Sequence, residues 1–239
     1  MTRTPDTNSE PFRIIVTGAS RGIGAATALR LARPGRELVL VGRDVSALSA
    51  VARQVEERGA DSETAIVDLT DQAACKAWTD ELPGTVHALV HSAGVARLGR
   101  FGELGEAELE GQWALNVLAP VRITQALLPR LRWTRGTVVF VNSGAGLAAR
   151  AGWGGYAASK FALRALADAL RDEEDGNVRV ASIFPGRTAT DMQVSVRAQE
   201  GGTYDAQAYL TPEAVADAIA LAVEASPEAS IDELRVRPR

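Results

Sequence analysis

The sequence predicts an α/β fold: a doubly wound, parallel, seven-stranded sheet covered by helices on both faces. Three observations predict it. Short β-branched apolar runs alternate with helix-forming stretches from Phe12 to Val236. Runs such as Ile14-Ile15-Val16 are apolar without alternation, as strands buried on both faces are. No linker or internal repeat breaks the pattern, so residues 12–239 read as a single domain. Residues 1–11 read as a flexible N-terminal tail.

Phe12 to Thr17 (FRIIVT) ends at a glycine and forms the first strand. Gly18-Ala19-Ser20-Arg21-Gly22-Ile23-Gly24 follows, then an alanine-rich helix to about Ala32, stopped by Pro34-Gly35. Glu37 to Val41 makes the second strand, and Val45 to Arg58 the second helix, closed by Gly59. Thr64 to Val67 is the third strand, ending at Asp68; Asp71 to Leu82 is helical, with Pro83-Gly84 as the break. Val86 to Val90 leads into His91-Ser92-Ala93-Gly94. One long helical region, about 105–131, precedes the strand Gly136 to Val141. The helix carrying Tyr156 runs to about Glu173, and Val178 to Phe184 is the sixth strand, closed by Pro185-Gly186. Residues 187–210 lack clear periodicity and read as a loop or lid. Thr211-Pro212-Glu213 reads as an N-cap with proline at the first helical position, starting a helix to about Ala225. Ile231 to Val236 is the last strand.

Composition narrows the function classes. The 239 residues are 46% hydrophobic and 23% charged, enough to bury a sizeable core. A net charge of −4 argues against a dedicated nucleic-acid surface, which needs clustered excess cations. No apolar stretch approaches bilayer-spanning length, and Met1 to Pro11 lacks the apolar run of a signal peptide, so no membrane association is expected. The single cysteine, Cys75, cannot form an internal disulfide and reads as a structural thiol in a cytoplasmic protein. No metal site is visible. The two histidines, His87 and His91, share one face of a predicted strand, and no carboxylate or cysteine cluster joins them.

Two local patterns carry chemistry. Tyr156 and Lys160 lie four apart in a proline-free, helix-forming stretch, so both side chains reach one site. A phenol with its ordinary pKa of about 10 is a poor proton carrier at neutral pH, and a nearby cation lowers that value. Three units of lowering need about 4 kcal/mol of differential stabilisation. Alone, Tyr-x-x-x-Lys is more often a packed ring beside a solvated amine. The second pattern is Gly18, Gly22 and Gly24, placed between the first strand and the first helix. Glycines there let the backbone approach a pyrophosphate resting on the helix N-terminus. No Gly-Lys-Ser/Thr follows, so this is not a triphosphate loop. Both patterns lie at the carboxyl edge of the sheet or on the helix beside it, near the switch point between the first and fourth strands.

The spacing G-x-x-x-G-x-G, with Thr17 before it and Tyr156-x-x-x-Lys160 later, resembles the short-chain dehydrogenase/reductase family, a Rossmann-type fold. Asp68, Ala93-Gly94, Asn116, Ser143 and Pro185-Gly186 match in the same order, so the resemblance runs from Phe12 to Val236. It implies an oxidoreductase in which Tyr156 is the general acid or base and Lys160 lowers its pKa and holds the coenzyme ribose. It implies that Ser143 hydrogen-bonds the substrate oxygen and that Asn116 holds a water linking Lys160 to solvent. The expected coenzyme contacts are Gly18, Ser20, Arg21, Gly22, Ile23, Gly24, Arg43, Asp68, Leu69, Ala93, Gly94, Asn116, Tyr156, Lys160, Pro185, Gly186, Thr188 and Thr190. Taken singly, Ser143 could be a turn serine, Asn116 a helix-bending residue and Asp68 a cap. His91-Ser92 replaces the usual Asn-Asn of that motif, which predicts a re-wired hydrogen bond, and Thr188 replaces the usual valine or isoleucine.

NADP(H) is the expected coenzyme. Relatives that prefer NAD carry an acidic residue at the end of the second strand, where this chain has Gly42 followed by Arg43. Arg21 should reach the same 2′-phosphate, and Asp44 reads as the N-cap of the next helix. The alternative function is a non-catalytic, nucleotide-binding regulator of the same fold, but such proteins typically lose the tyrosine, the lysine or the glycine turn. An epimerase or dehydratase usually carries a longer C-terminal domain, for which no room follows the last strand. A Ser143 hydrolase lacks the G-x-S-x-G elbow. The substrate, a small-molecule carbonyl or alcohol, would be read by loops 95–102, 144–153 and 187–210, whose Arg97, Leu98, Leu147, Trp153, Met192 and Tyr204 suit a medium-sized apolar carbonyl compound. A homotetramer or homodimer is expected through helices 105–131 and 156–173, with Trp113, Leu115, Val117, Leu118, Phe161 and Leu163 as the apolar surface.

Overall fold

The structure, a computed structural model, describes residues 11–239. The expected tail therefore lies outside the described residues apart from Pro11. Seven strands form one parallel sheet in the order β3-β2-β1-β4-β5-β6-β7. They are β1 Phe12–Thr17, β2 Arg36–Gly42, β3 Asp61–Ile66, β4 Ala88–His91, β5 Thr137–Val141, β6 Arg179–Pro185 and β7 Glu233–Val236. The chain builds outward from β1 to β3, then returns to place β4 against β1, with Thr17 opposite His91. That reversal opens a crevice at the carboxyl ends of β1 and β4.

Alternation along each strand feeds two cores. Ile14, Val16, Leu38 and Leu40 pack under α1 (Gly22–Leu31), α2 (Val45–Glu57) and α8 (Pro212–Val223). Ile15, Val39 and Leu89 pack on the other face, under α3 (Gln72–Glu81), α5 (Ala119–Thr134) and α6 (Gly154–Glu173). Both faces are buried, which explains why the central strands read as unbroken apolar runs.

Three stretches differ from the sequence expectation. β3 begins at Asp61 rather than Thr64, because its backbone pairs in register with Glu37 through Gly42 while its polar side chains sit at the exposed sheet edge. The region 105–131 is not one continuous helix. α4 (Glu106–Trp113) passes through a π-helical turn at Ala114–Leu118 into α5. Residues 187–210, expected to be a loop or lid, contain a nine-residue α-helix, α7 (Asp191–Gln199), whose N-cap Thr190 accepts from the Gln193 amide at 3.3 Å. Only Gln193 and Val196 of α7 are buried, so its apolar periodicity is too sparse to read.

Candidate active site and coenzyme cradle

The glycine turn after β1 is shaped by close approach. Gly18 has φ of 67°, and a Cβ there would stand 2.8 Å from the Ala93 backbone. A Cβ on Gly24 would collide with the Gly18 carbonyl. Thr17 stitches the turn to the loop after β4, its Oγ1 accepting from the Ser92 and Ala93 amides at 3.2 and 3.3 Å. α1 then starts at Gly22 with Arg21 as N-cap, no side chain capping its first amides and no acid in its first turn. Those free donors, the positive end of the helix dipole and the compact turn fit a phosphate-bearing coenzyme.

Arg21, in the turn after β1, and Arg43, directly after β2, are both exposed and ion-paired. Arg21 reaches Asp44 at 3.0 Å and Asp191 at 3.5 Å. Arg43 reaches Asp68 at 3.3 Å. Asp44 also caps α2 through the Ala47 amide, as expected. Asp68 does not cap the next helix. It accepts from the Thr70 amide and hydroxyl, which with Arg43 hold its carboxyl below the usual range, while Asp71 caps α3. Leu69 is buried, and its carbonyl and that of Asp68 lie near the Cys75 thiol. Thr190 packs against Gly22, bringing the α7 N-terminus onto the glycine turn.

The second half of the site is a cleft of about 440 Å³ that contains Ser143, Tyr156 and Lys160, with Ile23, Ser92, Gly94, Pro185, Gly186, Thr188 and Thr190 around them. Ser143 follows β5, and Tyr156 and Lys160 sit on one face of α6. Burial pushes the Tyr156 hydroxyl above its ordinary pKa, and a hydrogen bond from Ser143 pulls it back. Lys160 makes no hydrogen bond to that hydroxyl. Its ammonium lies 6.0 Å from the tyrosine ring centroid and donates to the Val141 carbonyl at 2.9 Å. Burial brings the Lys160 pKa down to about 8.

Asn116 lies on the π-helical turn. Its Oδ1 accepts from the Val95 amide, and its Nδ2 donates to the Val95 carbonyl, each at 2.9 Å. Nδ2 also donates to Ser159 Oγ at 3.0 Å. Both amide hydrogens are thus committed within the protein. Pro120 carries no N–H, so the Asn116 carbonyl lacks the donor an α-helix would place four residues later.

Two supporting residues escaped sequence reading. Asn142 is buried; it accepts from the Ser143 amide at 2.8 Å and donates to the Lys160 carbonyl at 3.1 Å, tying the serine to α6. Ser159 links Asn116 to the Tyr156 carbonyl. Both are small polar residues next to recognised ones, a signal too common to single out. The re-wired bond at His91 is present: its Nε2 pairs with Thr124 Oγ1 at 2.9 Å, and the ring stacks on Phe140. Burial drives its pKa down to about 3, so the imidazole is neutral. His87 precedes β4 and stacks on Phe12, so the two histidines form no shared site. Among the described residues no group of three or more His, Cys, Asp or Glu side chains could hold a metal ion, and no helix is long and apolar enough to cross a membrane.

Comparison with known proteins agrees with this geometry. The family model for short chain dehydrogenase matches residues 13–201. The uncharacterized oxidoreductase YciK of Escherichia coli is 36% identical over 209 residues, covering 83% of this chain and 81% of that protein. An alcohol dehydrogenase from the archaeon Thermococcus sibiricus, solved with 5-hydroxy-NADP, superimposes with a TM-score of 0.86 at 28% identity, covering 96% and 97% of the two chains. A metagenomic short-chain oxidoreductase in complex with NADP gives 0.82 at 30% identity, covering 95% and 97%. The protein whose fold and site are described above is a member of the short-chain dehydrogenase family.

Proposed function

We propose that this protein is an NADP(H)-dependent oxidoreductase that reduces a carbonyl compound or oxidises a secondary alcohol. The observation that carries the reading is the buried Tyr156 beside Ser143 and a buried Lys160, in one cleft with Ile23 of the glycine turn. The chemistry that NADP(H) supplies when bound is hydride transfer. The turn from Gly18 to Gly24 (with Ser20 and Ile23) and the open α1 N-terminus would hold its pyrophosphate, and Arg21 and Arg43 its 2′-phosphate. Asp68 and Leu69 would border the adenine, Ala93 and Gly94 the ribose, and Pro185, Gly186, Thr188 and Thr190 the nicotinamide.

Within the protein, Tyr156 gives or takes the proton at its hydroxyl oxygen, and Ser143 donates to the substrate oxygen as it gains negative charge. Lys160 presents its ammonium at the same cleft. The Asn116 side chain pins the loop after β4, and its backbone carbonyl, short of a helical donor, is the group suited to hold a relay water. The assay is purified protein with NADPH against ketones, aldehydes, steroids, quinones and acyl thioesters. Coenzyme binding without turnover of any of them would favour the regulator instead.

NADPH should be preferred over NADH. The ion pairs of Arg21 and Arg43 are exposed and screened, so a phosphate can displace their carboxylates. Arg43→Ala should cut the preference, measured as the ratio of kcat/KM values, by at least about tenfold, or about 1.4 kcal/mol. Equal efficiency with NADH in the wild-type enzyme would show the clamp is misassigned.

A homodimer or homotetramer through α4, α5 and α6 is also proposed, on a smaller patch than the sequence suggested. Val117 and Leu163 are buried in the chain's own core, and Leu115 packs against it. Trp113 and Phe161 remain exposed, joined by Leu109 and Leu166. Sedimentation as a monomer at micromolar concentration would refute this.

A further inference from the structure

The cleft in front of Tyr156 is lined by Lys160 and four arginines, Arg150, Arg187, Arg235 and Arg237, and by no carboxylate. The chain as a whole carries a net charge of −4, so this positive lining runs against its average. Three separate elements build it. Arg150 lies in the loop after Ser143, Arg187 directly follows Pro185-Gly186, and Arg235 and Arg237 come from β7 and the residues beyond it.

The C-terminal segment is held firmly in that place. The Gly186 amide donates to the Val236 carbonyl at 2.7 Å, and a Cβ on Gly186 would stand 3.0 Å from Pro238 Cδ and 3.6 Å from Arg237 Cα. Leu234 and Val236 pack against the core, so strand alternation turns Arg235 and Arg237 to the opposite face. Phe184, which also lines the cleft, is the β6 residue in register with Arg235.

The fold gives this cluster little countercharge. Glu200 takes Arg187 with two bonds, at 2.9 and 2.7 Å, but it also takes Arg197 at 2.6 Å. One carboxylate shared by two guanidiniums leaves positive charge in excess. Among the described residues Arg150, Arg235 and Arg237 make no ion pair, whereas at the opposite end of the sheet Arg30, Arg33 and Arg36 converge on Glu224. Like charges gathered in a cleft focus a positive field, and guanidinium forks match carboxylate and phosphate oxygens.

The 2′-phosphate of the coenzyme does not account for them. Arg43 follows β2 and Arg235 lies on β7, five strand spacings apart, or about 24 Å. Given the reductase reading above, on which this step rests, we propose that the substrate carries an oxyanion, a carboxylate or a phosphate, on an apolar body. Arg150, Arg235 and Arg237 bind the anion, and Leu147, Trp153, Met192 and Val196 receive the body.

The test is calorimetric binding, with NADPH turnover measured in parallel. The probes are aliphatic oxo acids from levulinate to oxo-octanoate, their methyl esters, and dihydroxyacetone phosphate. At least one anion should bind ten times or more tighter than the matching neutral ester, and more weakly as salt rises. The tighter of the acid and the phosphate identifies the oxyanion. In R235Q/R237Q, checked for folding by its melting curve, the acid-to-ester ratio should fall towards one. Equal binding of acid and ester by the wild-type enzyme, or an unchanged ratio in the variant, overturns the proposal, as does failure of every anion to bind. Anion-selective binding without oxidation of NADPH would instead overturn the reductase reading and leave the anion site standing. Turnover of esters and neutral ketones without any preference for the acid would do the reverse.

Discussion

Tyr156→Phe is expected to remove turnover almost completely, with kcat falling about 10²–10⁴-fold, the range supplied by a positioned proton donor. Coenzyme affinity should barely move. The ring is buried, 7% exposed, and packs edge-on to Trp153 with centroids 5.9 Å apart, so phenylalanine keeps its place. The lost group is the hydroxyl that Ser143 contacts, and Ser143 keeps its own bond from the Ala145 amide at 3.1 Å. Titrating NADPH by fluorescence while measuring kcat separates the two effects. A variant that turns over at a tenth of the wild-type rate or better would remove Tyr156 from the proton-transfer role.

How much of this was legible in the sequence depends on the kind of signal each residue leaves. Strands buried on both faces announce themselves: Ile14-Ile15-Val16 and Val138-Val139-Phe140 can be read directly. Tyr156, Lys160 and the glycine turn were legible because spacing fixes their neighbourhood: four residues is one helical turn, and only glycine fits where a Cβ would stand 2.8 Å from another backbone. What spacing does not fix is where a long side chain ends. Lys160 shares a helix face with Tyr156, yet its ammonium goes to the Val141 carbonyl on the neighbouring strand, a partner 19 residues away. The π-helical turn at Asn116 left no mark in a continuous helical pattern, and α7 was hidden by its two buried residues. The basic lining of the cleft was invisible for a similar reason. Arg150, Arg187 and Arg235 are far apart in the chain and meet only when β7 closes the sheet.

Lys160→Met should lose at least about 10²-fold in kcat and weaken coenzyme binding, and it should also change how stability depends on pH. The ammonium is buried with no carboxylate partner among the described residues, and burial alone depresses its pKa from 10.5 to about 8. In the unfolded chain the lysine keeps its ordinary value. Between pH 8 and 10.5 the unfolded state therefore binds more protons than the folded state, so this residue makes stability rise with pH across that window. Below about pH 8 both states are charged and the folded protein carries the full burial penalty, which the shift bounds at roughly 3 kcal/mol. Methionine carries no charge and no such penalty. It does leave the Val141 carbonyl unpaired, at about 1–3 kcal/mol, but that cost does not vary with pH. The readout is therefore the difference between the two denaturation curves rather than either value alone. From pH 7 to 10.5 the wild type should gain stability relative to Lys160→Met, most of it above pH 8. Tyr156 is present in both proteins, so its own titration drops out of the comparison to first order. If the two proteins keep a constant stability difference over that range, Lys160 is not the poorly solvated, easily deprotonated ammonium that the structure describes.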